Sequence, residues 1–527
     1  MTSNQQSFGS EGSRGLWLTV AVYAAVLVLL ALPIFSVTVP PLDDYPNHLA
    51  RMHILADYAH SPALQANYVV AWKLAPYLGM DLVIPQLMHF MSVYMAGKVF
   101  LFLCLVLFVA GTAAIHFALF GRFSPWPAAS ALFGYSYVFS LGFANYLFGV
   151  GVWLLAFAGW IVLSRGPVLR RIILGSLLSL AVFFSHYFAF LGYGLCVGAY
   201  ELGVWYYSRE RSFQALLRRA LAAGCPFLLP LAIAIAVPKG QETASITQYG
   251  ALSEKLGVLL SPAAFPGARL DMVILLFALV VFAGGLLLGR LRVPPPMRAP
   301  LLLLGIVSVA MPNLVTGIWG MDYRFPVVFV YLLIAGSTWL SLPPRVAVPL
   351  ICAMLVLLTA NVGSIVRAWR PIGAQFDEFR AALPVIPSGA RVVAFREDSG
   401  INPALRHGPV GQYFHLPALA VIERDVYLPF LFKHPMMPVE SAPQFKAVDT
   451  PHGHPAELAD FIAGADPVKG PAMLGETDSE GRHNYWGDWP HHYDYAIELN
   501  FGAKPALPPQ LELLKSGQIF SIYRIRH

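Results

Sequence analysis

The chain has 527 residues, 57% of them hydrophobic and 12% charged. Soluble domains carry about 25% charged residues, so much of this chain has no water-facing surface to dress. The formal charge of +6 lies in short basic loops between apolar runs, not in an aromatic-interleaved basic patch, and nucleic acid is excluded as a partner.

The polar tail 1–15 ends in Arg14, just before the first apolar run, Leu16 to Phe35. That run is longer than a signal-peptide core, and no small-residue cleavage site follows it, so it reads as a retained signal anchor. Similar runs recur as far as Val366. Each is long enough to cross about 30 Å of hydrocarbon as a helix, and too uniformly apolar for alternating barrel strands. The spans are expected at about 16–36, 97–119, 126–141, 144–164, 170–187, 189–207, 217–237, 270–290, 299–316, 325–341 and 346–366, eleven in all. They make up a transmembrane domain over 16–369.

Basic residues set the orientation. Arg122, then Arg165, Arg170 and Arg171, then Arg209, Arg211, Arg218 and Arg219 lie in alternate loops, as do Arg290, Arg292, Arg298 and Arg345. Placing them in the cytoplasm with Arg14 gives one consistent alternation. Segment 78–96 is apolar but contains Asp81, Pro85 and His89. Counting it as a span would turn Arg165, Arg170 and Arg171 outward. It is therefore expected as an interfacial or re-entrant helix, with a twelfth span as the alternative. The first external loop is 37–96. The turns near Asn145 and His186, the loop from Pro238 to Gly267, the turn 321–324 and everything after about 368 fall on the same side. Cys104, Cys196, Cys225 and Cys352 all lie in apolar runs and read as packing residues.

After Arg370, proline, glycine, histidine and charge return. Residues 370–527 are expected to fold as a small α/β soluble domain. Strands are expected at 391–395, 418–422, 495–499 and 519–525, and a helix at 455–463. The segment 372–384, with Phe376, Phe379 and Leu383 at helical spacing, reads as a linker helix on the membrane. His407, His415, His434, His452, His454, His483, His491 and His492 fit no zinc spacing and read as solvated loop residues. Trp486, Trp489, Tyr493 and Tyr495 form either a sugar-stacking patch or part of the domain core.

The strongest local signal is Pro41-Leu-Asp-Asp-Tyr-Pro-Asn-His-Leu-Ala-Arg51, just beyond the first span. Asp44 and Pro46 mark a helix start. From there Asp44, His48 and Arg51 fall at spacings of four and three, which put a carboxylate, an imidazole and a guanidinium on one face. A carboxylate there can take a proton from an attacking hydroxyl or hold a cation, and its neighbour raises its pKa by like-charge repulsion. The bland alternative is that Asp43 and Asp44 only cap a helix. Asn47 completes the cluster. The second signal is Gly320-Met-Asp-Tyr-Arg-Phe-Pro326: Arg324 either snorkels or grips a phosphate, with Asp322 as its expected partner and Tyr323 beside it. His186 and Lys239 are further polar residues near span ends, and such residues can line a cavity.

A first span, an external loop opening on Asp43-Asp44, about ten more spans and an external soluble domain together resemble the GT-C class of membrane glycosyltransferases. The Pro-Asn-His-Leu-Ala-Arg extension also resembles a set of uncharacterised bacterial membrane proteins. The GT-C resemblance implies a sugar donor carried on polyprenyl phosphate, arriving from the lipid bilayer. It implies that Asp43 or Asp44 acts as base or holds a divalent cation (Mg or Mn), with Arg324, and also Lys239, meeting the lipid phosphate. The function it implies is an inverting glycosyltransferase of the bacterial inner membrane, with a periplasmic C-terminal domain and a glycan, lipid or protein of the envelope as acceptor. The alternatives are a flippase for a lipid-linked saccharide, which predicts charges halfway through the spans and an internal repeat, and a non-catalytic assembly protein, in which the aspartates are dispensable.

Overall fold

The structure is a computed structural model that describes residues 5–237, 247–315, 318–397, 411–433, 436–450, 453–474, 476, 484–502 and 506–527, with backbone alone for 5–14. It is a polytopic α-helical membrane protein with a C-terminal α/β region. Among the described residues seven helices are long and apolar enough to cross a membrane: Gly15–Phe35, Val93–Phe120, Ala144–Leu163, Val168–Ser185, Tyr187–Tyr206, Phe213–Ala236 and Pro344–Val385. Asp271–Leu287, Pro295–Ala310 and Arg324–Ala335 are apolar but shorter.

The expected span at 126–141 is not one continuous helix, although it runs from the Trp126 side, where Trp126 Nε1 donates to Ile334 O and Ser337 Oγ, to Ser140 beside Asp43. It forms a 3-10 helix, Trp126–Phe133, and a four-residue helix, Tyr137–Ser140. Pro125 and Pro127 withhold backbone donors, and the Ser136 hydroxyl caps a new start at Phe139 N–H. The irregular backbone is tolerated because it lies inside the bundle, where side chains satisfy it: Tyr331 Oη donates to Phe133 O at 3.0 Å and Tyr135 Oη to Leu30 O at 2.6 Å. Segment 78–96 contains the ten-residue helix Gly79–Met88, about 15 Å long at 1.5 Å per residue and too short to cross.

The bundle has two chemically different ends. At one, Arg122 Nη2 donates to Thr338 Oγ1 and Trp339 O, Arg165 Nη2 donates to Ala118 O, and Leu291–Arg292 pairs antiparallel with Thr338–Trp339. At the other lie residues 36–92, the Tyr137–Ser140 turn, His186, Arg324 and the described residues of the C-terminal region.

The last helix, Pro344–Ala382, runs without a break for 39 residues. The linker segment is thus not a separate helix on the membrane. Phe376, Phe379 and Leu383 are buried against the C-terminal region, with Phe379 edge-on to Phe520. That region holds a five-stranded sheet in the order Leu511–Ser516, Phe520–Ile525, Tyr495–Asn500, Val392–Glu397, Ala456–Glu457. Tyr495–Asn500 is parallel to Val392–Glu397 and antiparallel to Phe520–Ile525. The expected strand at 418–422 is instead helical, Leu416–Ala418 leading into Leu419–Arg424. All of Leu416 to Val421 is buried, so the uniform apolarity that suggests a strand comes from burial on every side.

The first loop and the C-terminal region are one packed unit. Tyr68–Val70 pairs antiparallel with Val439–Ser441. Asp425 accepts from Ser61 Oγ and pairs with His53, both at 2.8 Å. Lys73 reaches Glu440 across the same seam.

Candidate active site

Asp43 and Asp44 sit where the first helix gives way to the Tyr45–Asp57 helix. Two backbone bonds tie them to the Tyr137–Ser140 turn, Asp43 N to Ser140 O and Asp44 N to Leu141 O, both 3.1 Å. The contact depends on Gly142, at φ +74. A Cβ there would lie 2.9 Å from Asp44 N and Tyr45 N, and the left-handed conformation itself suits glycine.

Asp44 occupies the N-cap position of its helix, but its side chain makes no capping hydrogen bond. Its carboxylate is therefore not spent on the helix end. It keeps 21% of its side-chain surface accessible, yet dense surroundings remove most of its hydration. Burial pushes its pKa up, opposed by the charge of Arg324, to about 7. Burial, with the added repulsion of Asp44, pushes Asp43 well above the ordinary carboxylate range. Both carboxyls are thus harder to ionise than free ones, and Asp44 titrates close to neutral pH.

The imidazole beside Asp44 is His415, not His48. His415 Nε2 lies 3.6 Å from Asp44 Oδ1. Asn47 fixes its state. Phe432 N–H donates to Asn47 Oδ1 at 2.8 Å, which assigns the amide oxygen to that side. The Nδ2 group then donates to Phe430 O and to His415 Nδ1, both at 3.0 Å. With Nδ1 an acceptor, the neutral ring carries its proton on Nε2, the nitrogen toward Asp44. His48 is buried with its ring edge-on to Phe432 at 5.2 Å.

Arg324 starts the Arg324–Ala335 helix and is 8% exposed. Its guanidinium lies 4.9 Å from the Phe143 ring, 5.4 Å from Phe188 and 5.7 Å from Tyr146. Nη1 donates to Met321 Sδ at 2.7 Å, and Nε has no hydrogen-bond partner. Among the described residues it has no ion pair. The ionisable groups whose charges reach it are Tyr146, Tyr77, Asp44 and Asp322. A buried cation left this way is costly unless an anion completes it.

Several expected partnerships are replaced. Asp322 does not pair with Arg324; its Oδ2 is 2.6 Å from Lys255 Nζ, and its Oδ1 accepts from Asn313. Arg51 does not face Asp44. Its Nε and Nη2 grip Asp81 at 2.9 and 3.2 Å, with both side chains fully enclosed. His186 accepts from Phe188 N–H as a helix cap and packs between Tyr77 and Tyr146. Tyr323 packs on Tyr137 at 4.9 Å, and the charge of Asp43 reaches Tyr137. Lys239 lies outside the described residues, as do His407, His434, His452 and His483. Sequence reasoning missed His415, whose one signal is its apolar setting in Tyr413-Phe-His-Leu-Pro, and Lys255, a lone lysine in the apolar stretch Leu252–Leu260.

A divalent cation finds few ligands here. Among the described residues no three His, Cys, Asp or Glu side chains converge, and the cation that acts on Asp44 is Arg324. Trp489 and Tyr493 are buried in the core, and Tyr495 is nearly so, whereas Trp486 is half-buried.

No family model and no curated protein matches the sequence. Among solved structures, the cryo-EM structure of the arabinofuranosyltransferase AftD from mycobacteria is similar, with a TM-score of 0.47 at 12% identity over 96% of this chain. This chain spans 40% of the length of that one. A likeness at that level is one of overall chain path alone.

Proposed function

We propose that the protein is a GT-C-type glycosyltransferase that moves a sugar from a polyprenyl-phosphate donor to a hydroxyl of an envelope glycan, lipid or protein. The observation that carries this reading is that Asp44, a carboxyl free of capping that titrates near neutral pH, lies within electrostatic reach of Arg324, a buried guanidinium with no ion pair among the described residues. A hydroxyl loses its proton to Asp44 as its oxygen bonds to the anomeric carbon. The bond from that carbon to the phosphate oxygen breaks, and the departing phosphate keeps the electron pair. Attack opposite the leaving group inverts the anomeric centre. Arg324 supplies the positive charge that the phosphate needs, and His415 stands beside Asp44 with its Nε2–H toward it. No step requires a metal.

The reading places Asp44, Arg324 and the C-terminal region on the periplasmic side of the inner membrane, because the arginine-rich loops gather at the opposite end. Donor then enters from lipid and acceptor from water, meeting at the headgroup level. The test is transfer from a panel of radiolabelled polyprenyl-phosphate sugars to envelope acceptors by purified protein, with and without chelator. Transfer that survives chelation and is lost in Asp44→Ala supports the reading. No transfer from any donor, with cellular function intact in Asp43→Ala and Asp44→Ala, leaves only an assembly role.

A further inference from the structure

We propose that the arginine-rich end of the bundle carries a binding site for one anionic phospholipid, whose phosphate is held by Arg211 and Arg298. The site lies at the opposite end from Asp44 and takes no part in the sugar-transfer chemistry.

Several arginines at this end are spent inside the protein. Arg122 holds Thr338 and Trp339 O, Arg165 holds Ala118 O, and Arg171 and Arg219 flank the buried Glu201 at 3.8 and 2.7 Å. Arg211 and Arg298 are different. Both are exposed, and neither makes an ion pair among the described residues. Each lies on a tyrosine instead. Arg211 Cζ is 5.3 Å from the Tyr206 ring centre and Arg298 Cζ 5.9 Å from that of Tyr207, and the two rings meet edge to face at 5.0 Å. A guanidinium laid on a ring keeps its N–H edge open, and that edge matches two phosphate oxygens. Arg211 gives up only Nε, at 3.4 Å from Ser208 O. Glu210, the carboxylate of this loop, accepts from Ser212 Oγ and pairs with neither arginine.

The chain geometry fixes this platform. Tyr206 ends the helix Tyr187–Tyr206, and Arg298 lies in the first turn of Pro295–Ala310. The two ends approach so closely that a Cβ on Gly203 would lie 2.6 Å from Pro296 O. Trp205 Nε1 donates to Ser212 O at 3.1 Å and Ser208 Oγ to Trp205 O at 2.8 Å, which pins the turn before Arg211. From the platform each helix presents an exposed apolar stripe. Leu202, Leu195 and Leu191 lead away from Tyr206, and Leu302, Ile306 and Val309 from Arg298, at spacings of three, four or seven that share one face. Two fixed cations above two apolar tracks suit a phosphodiester that carries acyl chains. A zwitterionic lipid would bring its own ammonium to the guanidiniums, so the site selects a lipid of net negative charge.

The test uses the full-length protein in nanodiscs of phosphatidylglycerol mixed with phosphatidylcholine, with retained lipid read by native mass spectrometry. Phosphatidylglycerol is retained over phosphatidylcholine by about tenfold or more. Arg211→Gln with Arg298→Gln abolishes the preference. Arg209→Gln with Arg345→Gln removes the same charge from the same end without touching a tyrosine stack, and the preference stays. Tyr206→Leu with Tyr207→Leu weakens it although both arginines remain. A loss in the Arg209 and Arg345 pair as large as in the stacked pair would reveal a diffuse field and overturn the site. So would a wild type without preference, or a preference untouched by the tyrosine changes. Displacement of the lipid by soluble glycerol phosphate at matched concentration would overturn the lipid assignment.

Discussion

Asn47 donates to Nδ1 of His415 across 368 residues of sequence, and this bond decides which nitrogen of the imidazole faces Asp44. The first external loop thus sets the protonation state of a residue supplied by the C-terminal region, and both are needed to complete the site. Replacing His415 by Ala removes the donor beside Asp44. Transfer should fall by about tenfold, the equivalent of about 1.4 kcal/mol for one lost polar neighbour of the base. His415→Gln, which keeps an N–H donor, should recover much of the loss. Steady-state rates of the two variants check this.

Arg324 should be irreplaceable by lysine. A lysine keeps the charge but loses the planar fork and the stacking on Phe143, Phe188 and Tyr146. Arg324→Ala should lose about 10²–10³ in rate, the usual loss for one charge-stabilising donor, and Arg324→Lys should recover little of it. Parallel donor-binding measurements show whether the loss lies in affinity or in turnover.

Arg51 and Asp81 should matter to stability and not to chemistry. Removing either partner leaves a buried charge without its counterpart, at about 3–5 kcal/mol. Replacing both, as in Arg51→Met with Asp81→Leu, should be milder than either single change, and the folded fraction should retain activity. Denaturation of the three variants, with activity corrected for folded protein, checks the prediction.

Two pH dependences follow. With Asp44 at about 7, the transfer rate should rise as pH increases through about 7 and level off above it, because the carboxylate form is the base. Stability should show a separate effect at His53. Burial disfavours its imidazolium, but hydrogen bonds and charges from Asp425 and Asp57 outweigh that and push its pKa up to about 9. A raised pKa on a basic group stabilises the fold fully below about 6.5, its unfolded value, and the gain disappears as pH climbs through about 9. His53→Gln should flatten melting temperature over that window, because the clamp between first loop and C-terminal region no longer titrates.

The membrane class, the alternation of basic loops, the aspartate pair and Arg324 are all legible in the sequence, because each is carried by local composition or by neighbours in the chain. What is not legible depends on partners far away. Arg51 looks like a substrate ligand because nothing near it in sequence announces Asp81, 30 residues on. Asp322 seems paired with Arg324, two positions away, until the fold brings Lys255 to it. His415 is one of nine histidines after residue 400, none with a metal spacing, and only folding puts it beside Asp44. The segment 126–141 has the apolar composition of a crossing helix, but Pro125, Pro127 and Ser136 break that helix into pieces that the bundle can enclose.

The most direct measurement compares Asp44→Asn with Asp43→Asn in single-turnover sugar transfer. Ionised Asp44 is the base, so its amide should be slower by about 10²–10⁴-fold. Asp43, whose carboxyl is pushed well up by burial and by Asp44, is the weaker base candidate, so its replacement should cost less than about tenfold. An Asp44→Asn protein that transfers sugar at near wild-type rate, or an Asp43→Asn protein that is the more damaged of the two, would contradict the account.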